Sequence, residues 1–483
     1  MPHSKRHDRE NSPVKSILAA LVLLVPIAAA AQAPAAPKEN FVALEGPVLA
    51  LTHVEVFDGT GAAPMRDATI VVRDGRIHAW GPGKVVFLPV DAKVIDLTGH
   101  SVSPGFVMLH EHMFYPVAPG SYGALYESFP KLYLAGGATT VRTAGSMSPY
   151  ADINVAQEIA EGKRPGPDMD VTAPFLDGPS PFMQDFRIRS PQQAREMVRY
   201  WASAGATSYK GYMGLTRAQL GAIIDEAHKG KRKVTAHLCA VTYREAAEMG
   251  IDNLEHGFLA ATDFVAGKKP DACPTALELR TSFDKLALDD PAMQSLQRHL
   301  IDKKVALTST LTVFETFATG RPVAAPEALE LLIPQLRESY LSRWSQIAGQ
   351  KDNAWSRILP KAMAWEKQFA DAGGLLVAGT DPTGYGGVIP GYSNVRQVEL
   401  LEEAGFTRGQ ALRIATLNGA IYLGRDAEIG SVAEGKRADL VLYKGSLADD
   451  PKALRNIVWT MKAGTAYDSA KLLASLKGKV GFQ

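Results

Sequence analysis

The chain has 483 residues, of which 46% are hydrophobic and 21% charged, and its formal net charge is +1. That near-neutral balance argues against a nucleic-acid or other polyanionic partner. The length admits one large domain and a smaller one.

At the start, Lys5, Arg6, Arg9 and Lys15 precede an apolar run from about Ile17 to Ala31, followed by small residues and a Pro/Ala stretch. This order predicts a secretory signal over residues 1–31 and a periplasmic or secreted mature protein, free of the membrane after cleavage. The run is too short to cross a bilayer comfortably, which needs about 20 apolar residues. Two cysteines, Cys239 and Cys273, are no disulfide framework, and whether they pair is open at this stage.

From Leu49 the chain reads as short β-rich runs broken by Asp-Gly and Gly-Pro, and the last sixty residues repeat the style, as in Ala438-Asp439-Leu440-Val441-Leu442-Tyr443. Neither group has enough strands to close a core alone. The expectation is one small β-sandwich built from residues 32–103 and 421–483, with the central domain, 104–420, inserted between them.

In that central part apolar runs alternate with helical stretches such as Pro191–Ala204, after the N-cap Ser190, and Arg217–Lys229. Eight strands are predicted: Phe106–Leu109, Thr139–Arg142, Met169–Thr172, Thr207–Lys210, Val234–His237, Asn253–Glu255, Val305–Thr308 and Leu375–Ala378. Eight such units make a (β/α)8 TIM barrel, whose active site lies at the C-terminal strand ends. The first strand ends in His110-Glu111-His112, and a period of two turns both histidines to one face. Lys210 ends the fourth strand, His237 the fifth, His256 the sixth, and Asp381 follows the eighth. Imidazole and carboxylate gathered on one rim are the donor types of a zinc-like ion. Glu111 points the other way and reads as a structural or ion-pair residue. His53, His78, His100, His228 and His299 read as structural or solvent-exposed.

This constellation resembles the amidohydrolase superfamily, in particular its two-metal, carboxylated-lysine members of the prolidase and imidazolonepropionase-like group. The resemblance also rests on Gly136-Gly137-Ala138-Thr139-Thr140-Val141-Arg142 and on the terminal Gly430-Ser431-Val432-Ala433-Glu434-Gly435-Lys436. It implies two divalent ions, zinc being the expectation. His110, His112 and Asp381 would hold one, His237 and His256 the other, and an N6-carboxylated Lys210 would bridge them. It implies amide hydrolysis by a metal-bridging hydroxide, with Asp381 as the proton carrier, releasing a C-terminal amino acid from a dipeptide or N-acyl amino acid. Where the family carries an aspartate two residues before the first histidine, this chain has Met108, so the support of His110 must come from elsewhere.

For substrate contacts the sequence offers Arg142, Tyr212 and Tyr243, each able to bind a carboxylate or an oxyanion. The segment 259–300 reads as an insertion over the rim, as a lid or a packing element. Rival readings are a one-metal cyclic amidase or deaminase of the imidazolonepropionase type, a lactonase or phosphoesterase on the same site, and a periplasmic binding protein on a decayed barrel. The partner is a small molecule in the enzymatic readings; homo-oligomerisation is left open.

Overall fold

The computed structural model of this chain describes residues 40–118, 120–178 and 186–481; the signal pattern over 1–31 lies outside the described residues. No helix among them is long and apolar enough to cross a membrane.

The two ends of the described chain meet in one β domain. Strand His100–Pro104 pairs antiparallel with Leu440–Lys444, Val102 opposite Leu442, and this ladder joins the N-terminal strands to the C-terminal ones. Leu49, Leu51, Ile70 and Val72 share one apolar cluster with Leu440, Leu442, Trp459 and Met461. Hydrogen bonding runs continuously through the nine strands of this domain. The reason is the nine-residue strand Val48–Val56. It pairs antiparallel with Met65–Arg73 on one edge, and parallel with Lys93–Asp96 and then His100–Pro104 on the other.

The barrel consists of eight parallel strands: β1 (Phe106–Glu111), β2 (Ala138–Thr143), β3 (Asp168–Val171), β4 (Tyr209–Gly211), β5 (Val234–Ala236), β6 (Asn253–Glu255), β7 (Ala306–Ser309) and β8 (Leu376–Ala378). β1, β2 and β3 pair in order, as do β4 to β8. Two junctions close the circle. Thr207 and Ser208 donate to the Val171 carbonyl between β3 and β4, and Thr380 and Asp381 donate to the His110 carbonyl between β8 and β1. The last closure is tight: a Cβ added at Gly379 would fall 2.3 Å from that of His110, so only glycine lets the two strand ends meet.

The helices form where the caps ask for them. Ser190 accepts from the Gln193 amide ahead of Pro191–Ala204, and Thr216 with Gln219 makes a capping box ahead of Arg217–Lys229. The 259–300 segment is packed material. A turn at Thr262–Phe264 leads to helices Ala276–Lys285 and Pro291–Asp302, and Phe283, Met293, Leu296 and Leu300 are buried in the barrel's core cluster. A disulfide between Cys239 and Cys273 ties this segment to the residues after β5.

Candidate metal centre

Six side chains meet at the C-terminal mouth of the barrel. His110 and His112 leave the end of β1, with ring centroids 5.3 Å apart. His256 lies 4.7 Å from His110 and 4.4 Å from His237, centroid to centroid. An Asp381 oxygen stands 3.3 Å from His112 Nε2 and 3.6 Å from His110 Nε2, and its other oxygen 3.8 Å from His256 Nδ1. His110, His112 and Asp381 alone form a buried triad with ligand atoms within 4.8 Å of one another.

Backbone conformation explains why neighbours in sequence can both face inward. Glu255 points into the barrel, so a regular strand would turn His256 outward. His256 instead has φ of 69°, and Asp381 has φ of 53°. Both sit in the left-handed region that non-glycine residues rarely occupy, and strain held at two donor residues marks a working site.

Three of the four imidazoles are oriented from behind. His110 Nδ1 is 2.7 Å from a Glu255 oxygen, His112 Nδ1 is 3.2 Å from the Gly145 carbonyl, and His256 Nδ1 is 2.8 Å from the Thr310 hydroxyl. A carbonyl can only accept, so His112 carries its proton on Nδ1, and the same holds for His110 against the carboxylate. Their Nε2 lone pairs therefore face the centre, the arrangement by which outer partners aim a histidine at a metal.

Charge is distributed to suit cation binding. Burial, with the neighbouring Lys210 adding to it, pushes His110 down to about 4 and His237 to about 3, so both are neutral near pH 7. Burial works to raise Asp381, but the surrounding imidazoles outweigh it and hold the carboxyl below its ordinary range. Burial also lowers Lys210, to about 8, against the pull of Glu255. Its Nζ is fully buried without a hydrogen-bond partner, and Glu255 is 3.7 Å away. A buried amine left so is rare. Imidazole nitrogens, a carboxylate and an unsatisfied basic nitrogen converging on one place fit the donor set of divalent ions of the zinc type.

Beneath this layer lies Glu255, at the end of β6. It is fully buried, accepts from Arg142 Nη2 at 2.7 Å and from the Thr235 hydroxyl, and supports His110. The strand-end Glu255-His256 pair was its only sequence signal. Arg142, offered above as a substrate contact, is fully buried: its Nε donates to the Leu109 carbonyl and its Nη2 to Glu255 and Asn253, while Nη1 has no hydrogen-bond partner. The Tyr243 hydroxyl likewise donates to the Glu255 carbonyl, 2.7 Å away. Tyr212 does reach the mouth, its ring 5.1 Å from that of His237 and 5.0 Å from Phe175. Glu111 forms no ion pair among the described residues; it accepts from the Thr380 hydroxyl at 2.6 Å, and burial pushes it up to about 8.

The Amidohydrolase family model matches residues 101–467 of this chain. Among curated proteins, the dihydroorotases of Mycobacterium tuberculosis and Mycobacterium bovis are each 36% identical over 89 residues. That match covers 18% of this chain and spans only 20% of their length. Among solved structures, a candidate prolidase from Bifidobacterium longum is 26% identical, with 90% of this chain and 100% of that one covered and a TM-score of 0.63. A Xaa-Pro dipeptidase is 17% identical over 87% of this chain and 100% of its own, at a TM-score of 0.63. A bottromycin amidohydrolase is 20% identical over 89% and 91%, at 0.65; these last two likenesses bear on the fold.

Proposed function

Because the chain belongs to the amidohydrolase family, hydrolases of carbon–nitrogen bonds, we propose that it is a two-metal enzyme releasing a C-terminal amino acid from a dipeptide or N-acyl amino acid. The observation that carries the two-metal reading is Lys210: a fully buried lysine beside the histidine layer, its Nζ making no hydrogen bond and its nearest carboxylate, Glu255, 3.7 Å away. As an ammonium it would repel cations; as the carbamate formed with CO2 it becomes an oxygen donor able to bridge two of them. An amine lowered to about 8 is in part neutral near pH 7, the form that reacts. His110, His112 and Asp381 would hold one ion and His237 and His256 the other. Bound divalent ions of this kind supply Lewis-acid activation of water and of the scissile carbonyl.

The chain's own residues do the rest. Asp381, an ionised carboxylate at the rim, accepts the proton of the attacking water and returns it to the departing nitrogen, which cannot leave as an anion. Glu255, through His110, keeps the donor layer aligned. Phe114, stacked on His112 at 4.4 Å, and the Phe175–Tyr212 pair wall the mouth.

The candidate prolidase at 26% identity supports a dipeptide substrate. A cyclic amide is the second reading, favoured by the short match to the dihydroorotases. The test is a panel of dipeptides, N-acyl amino acids and ring amides, with release of the amino acid or ring opening followed directly. Turnover of the linear amides supports the first reading; turnover of ring amides alone replaces it. We assign the mature protein to an oxidising, periplasmic or secreted compartment, which the Cys239–Cys273 disulfide supports.

A further inference from the structure

Behind the mouth lies a second cavity, of about 380 Å³, which no step above uses. The hairpin after β1, strands Phe114–Ala118 and Ser121–Ala124, Tyr126 beyond it, and the residues that lead into helix Pro149–Ala160 make its wall. Phe114, Tyr122, Tyr126, Met147 and Asp152 line it. Two of these walls are shared with the metal centre. Phe114 is the ring stacked on His112, and Tyr122 meets Phe114 edge-on at 5.5 Å and sends its hydroxyl towards the Gly384 carbonyl at 3.5 Å, in the loop after Asp381.

Asp152 sets the chemistry of the cavity. It is only 2% exposed, and its carboxyl interacts with the hydroxyls of Ser146 and Tyr126 while no cation among the described residues pairs with it. Buried carboxylates are paired or else give up their charge, and burial pushes this one up to about 7. Aromatic rings lining the same cavity as a carboxylate make a setting in which a cation can be attracted by both.

We propose that this cavity is a subsite for a cationic group of the substrate, ammonium or guanidinium, with Asp152 as its counter-ion and Phe114 and Tyr122 as its aromatic walls. The inference rests on the hydrolase reading above and names the substrate class within it: peptides bearing a positive charge near the scissile bond. An apolar cavity would select by size alone; a carboxylate at its wall selects by charge, because an uncharged group leaves a buried Asp152 carboxylate without a counter-ion.

The experiment compares kcat/KM on the full-length, metal-loaded enzyme within matched pairs. Lys-Ala is set against norleucyl-Ala, Ala-Lys against Ala-norleucine, and Ala-Ala against N-acetyl-Ala-Ala, so that side-chain and terminal ammonium groups are told apart. The expected result is a preference of at least tenfold for the charged member of one pair. Asp152→Asn, close in shape, should collapse that ratio by tenfold or more, and Asp152→Glu should retain most of it. If Asp152→Asn slows both members equally, Asp152 serves only the start of its helix and the proposal falls. Ratios near one in every pair overturn it with the wild type alone, whether or not the variant accumulates. Calorimetric titration with n-butylammonium, against n-butanol, separates the two claims. Asp152-dependent binding of the amine by a protein that cleaves no peptide would sink the hydrolase reading and keep the subsite; no binding and no preference would remove the subsite.

Discussion

His110 of β1 and Glu255 of β6 are 145 residues apart in sequence, yet the imidazole Nδ1 lies 2.7 Å from the Glu255 carboxylate. This contact supplies, from across the barrel, the support that Met108 cannot give from within β1. The same carboxylate neutralises Arg142, so it ties a would-be metal ligand to the packed interior.

Glu255→Gln should therefore act on two quantities at once. Metal affinity, measured by competition with a chelator, should fall by about 10- to 100-fold, the usual effect of losing a ligand's outer partner. Arg142 would be left as a buried charge without its counter-ion, costing about 3 kcal/mol in unfolding stability. An unchanged affinity would mean that His110 holds its orientation without Glu255.

Asp381→Asn should keep the fold, because asparagine tolerates the left-handed backbone that residue 381 adopts. It removes the proton acceptor, so kcat for amide substrates should drop by at least 100-fold, with the melting temperature within a few degrees of the wild type. Retained turnover would take the proton-transfer role away from this residue.

The junction between barrel and β domain predicts a pH dependence. Asp168 of β3 receives Arg437 at 2.6 Å and Lys462 at 3.1 Å. Burial opposes its ionisation, but the charges of Lys462 and Arg437 outweigh burial and hold it at about 2. A carboxyl depressed on folding adds stability that is fully present above its unfolded value, near 3.9, and is lost as pH falls through the folded one. Between about pH 4 and 2 the wild type should lose about 2 kcal/mol that Asp168→Asn has already lost at pH 7. Urea titrations of both proteins at pH 7 and pH 3 check this; an equal gap at both values contradicts it.

Reduction of the Cys239–Cys273 bond opens a loop of 34 residues. In the chain-entropy account this costs about 3–4 kcal/mol. Cys273→Ser should lower unfolding stability by that order, and activity should suffer as the segment beside His237 loosens. A reduced protein of unchanged stability would reduce the bond to a surface staple.

Most of the barrel is legible in the sequence because short β-prone runs alternate with helical stretches and several end in a polar residue, as in Val234-Thr235-Ala236-His237. Such ends can be lined up without knowing how the strands pair. That is why strand ends pointed to His110, His112, Lys210, His237, His256 and Asp381 as candidates on one rim. What sits below the rim was not legible. The Glu255–His110 and Glu255–Arg142 contacts join residues far apart in the chain, and a buried arginine at a strand end looks like a substrate-binding one until its partners are visible. The Asp152 cavity escaped for the same reason, since it takes shape only when the hairpin after β1 folds against the next helix. Within the β domain the order of the strands was not legible either, because a single long strand, Val48–Val56, pairs on both edges, and pairing partners cannot be read from β-propensity.

Lys210 decides between one metal ion and two, and metal content per chain tests its role most directly. Protein grown with zinc or manganese and bicarbonate should carry two divalent ions per chain. Lys210→Met, which removes a buried and unsatisfied amine, should stay folded and lose at least one ion together with most of the activity. One ion in the wild type, or two in the variant, would contradict a bridging lysine.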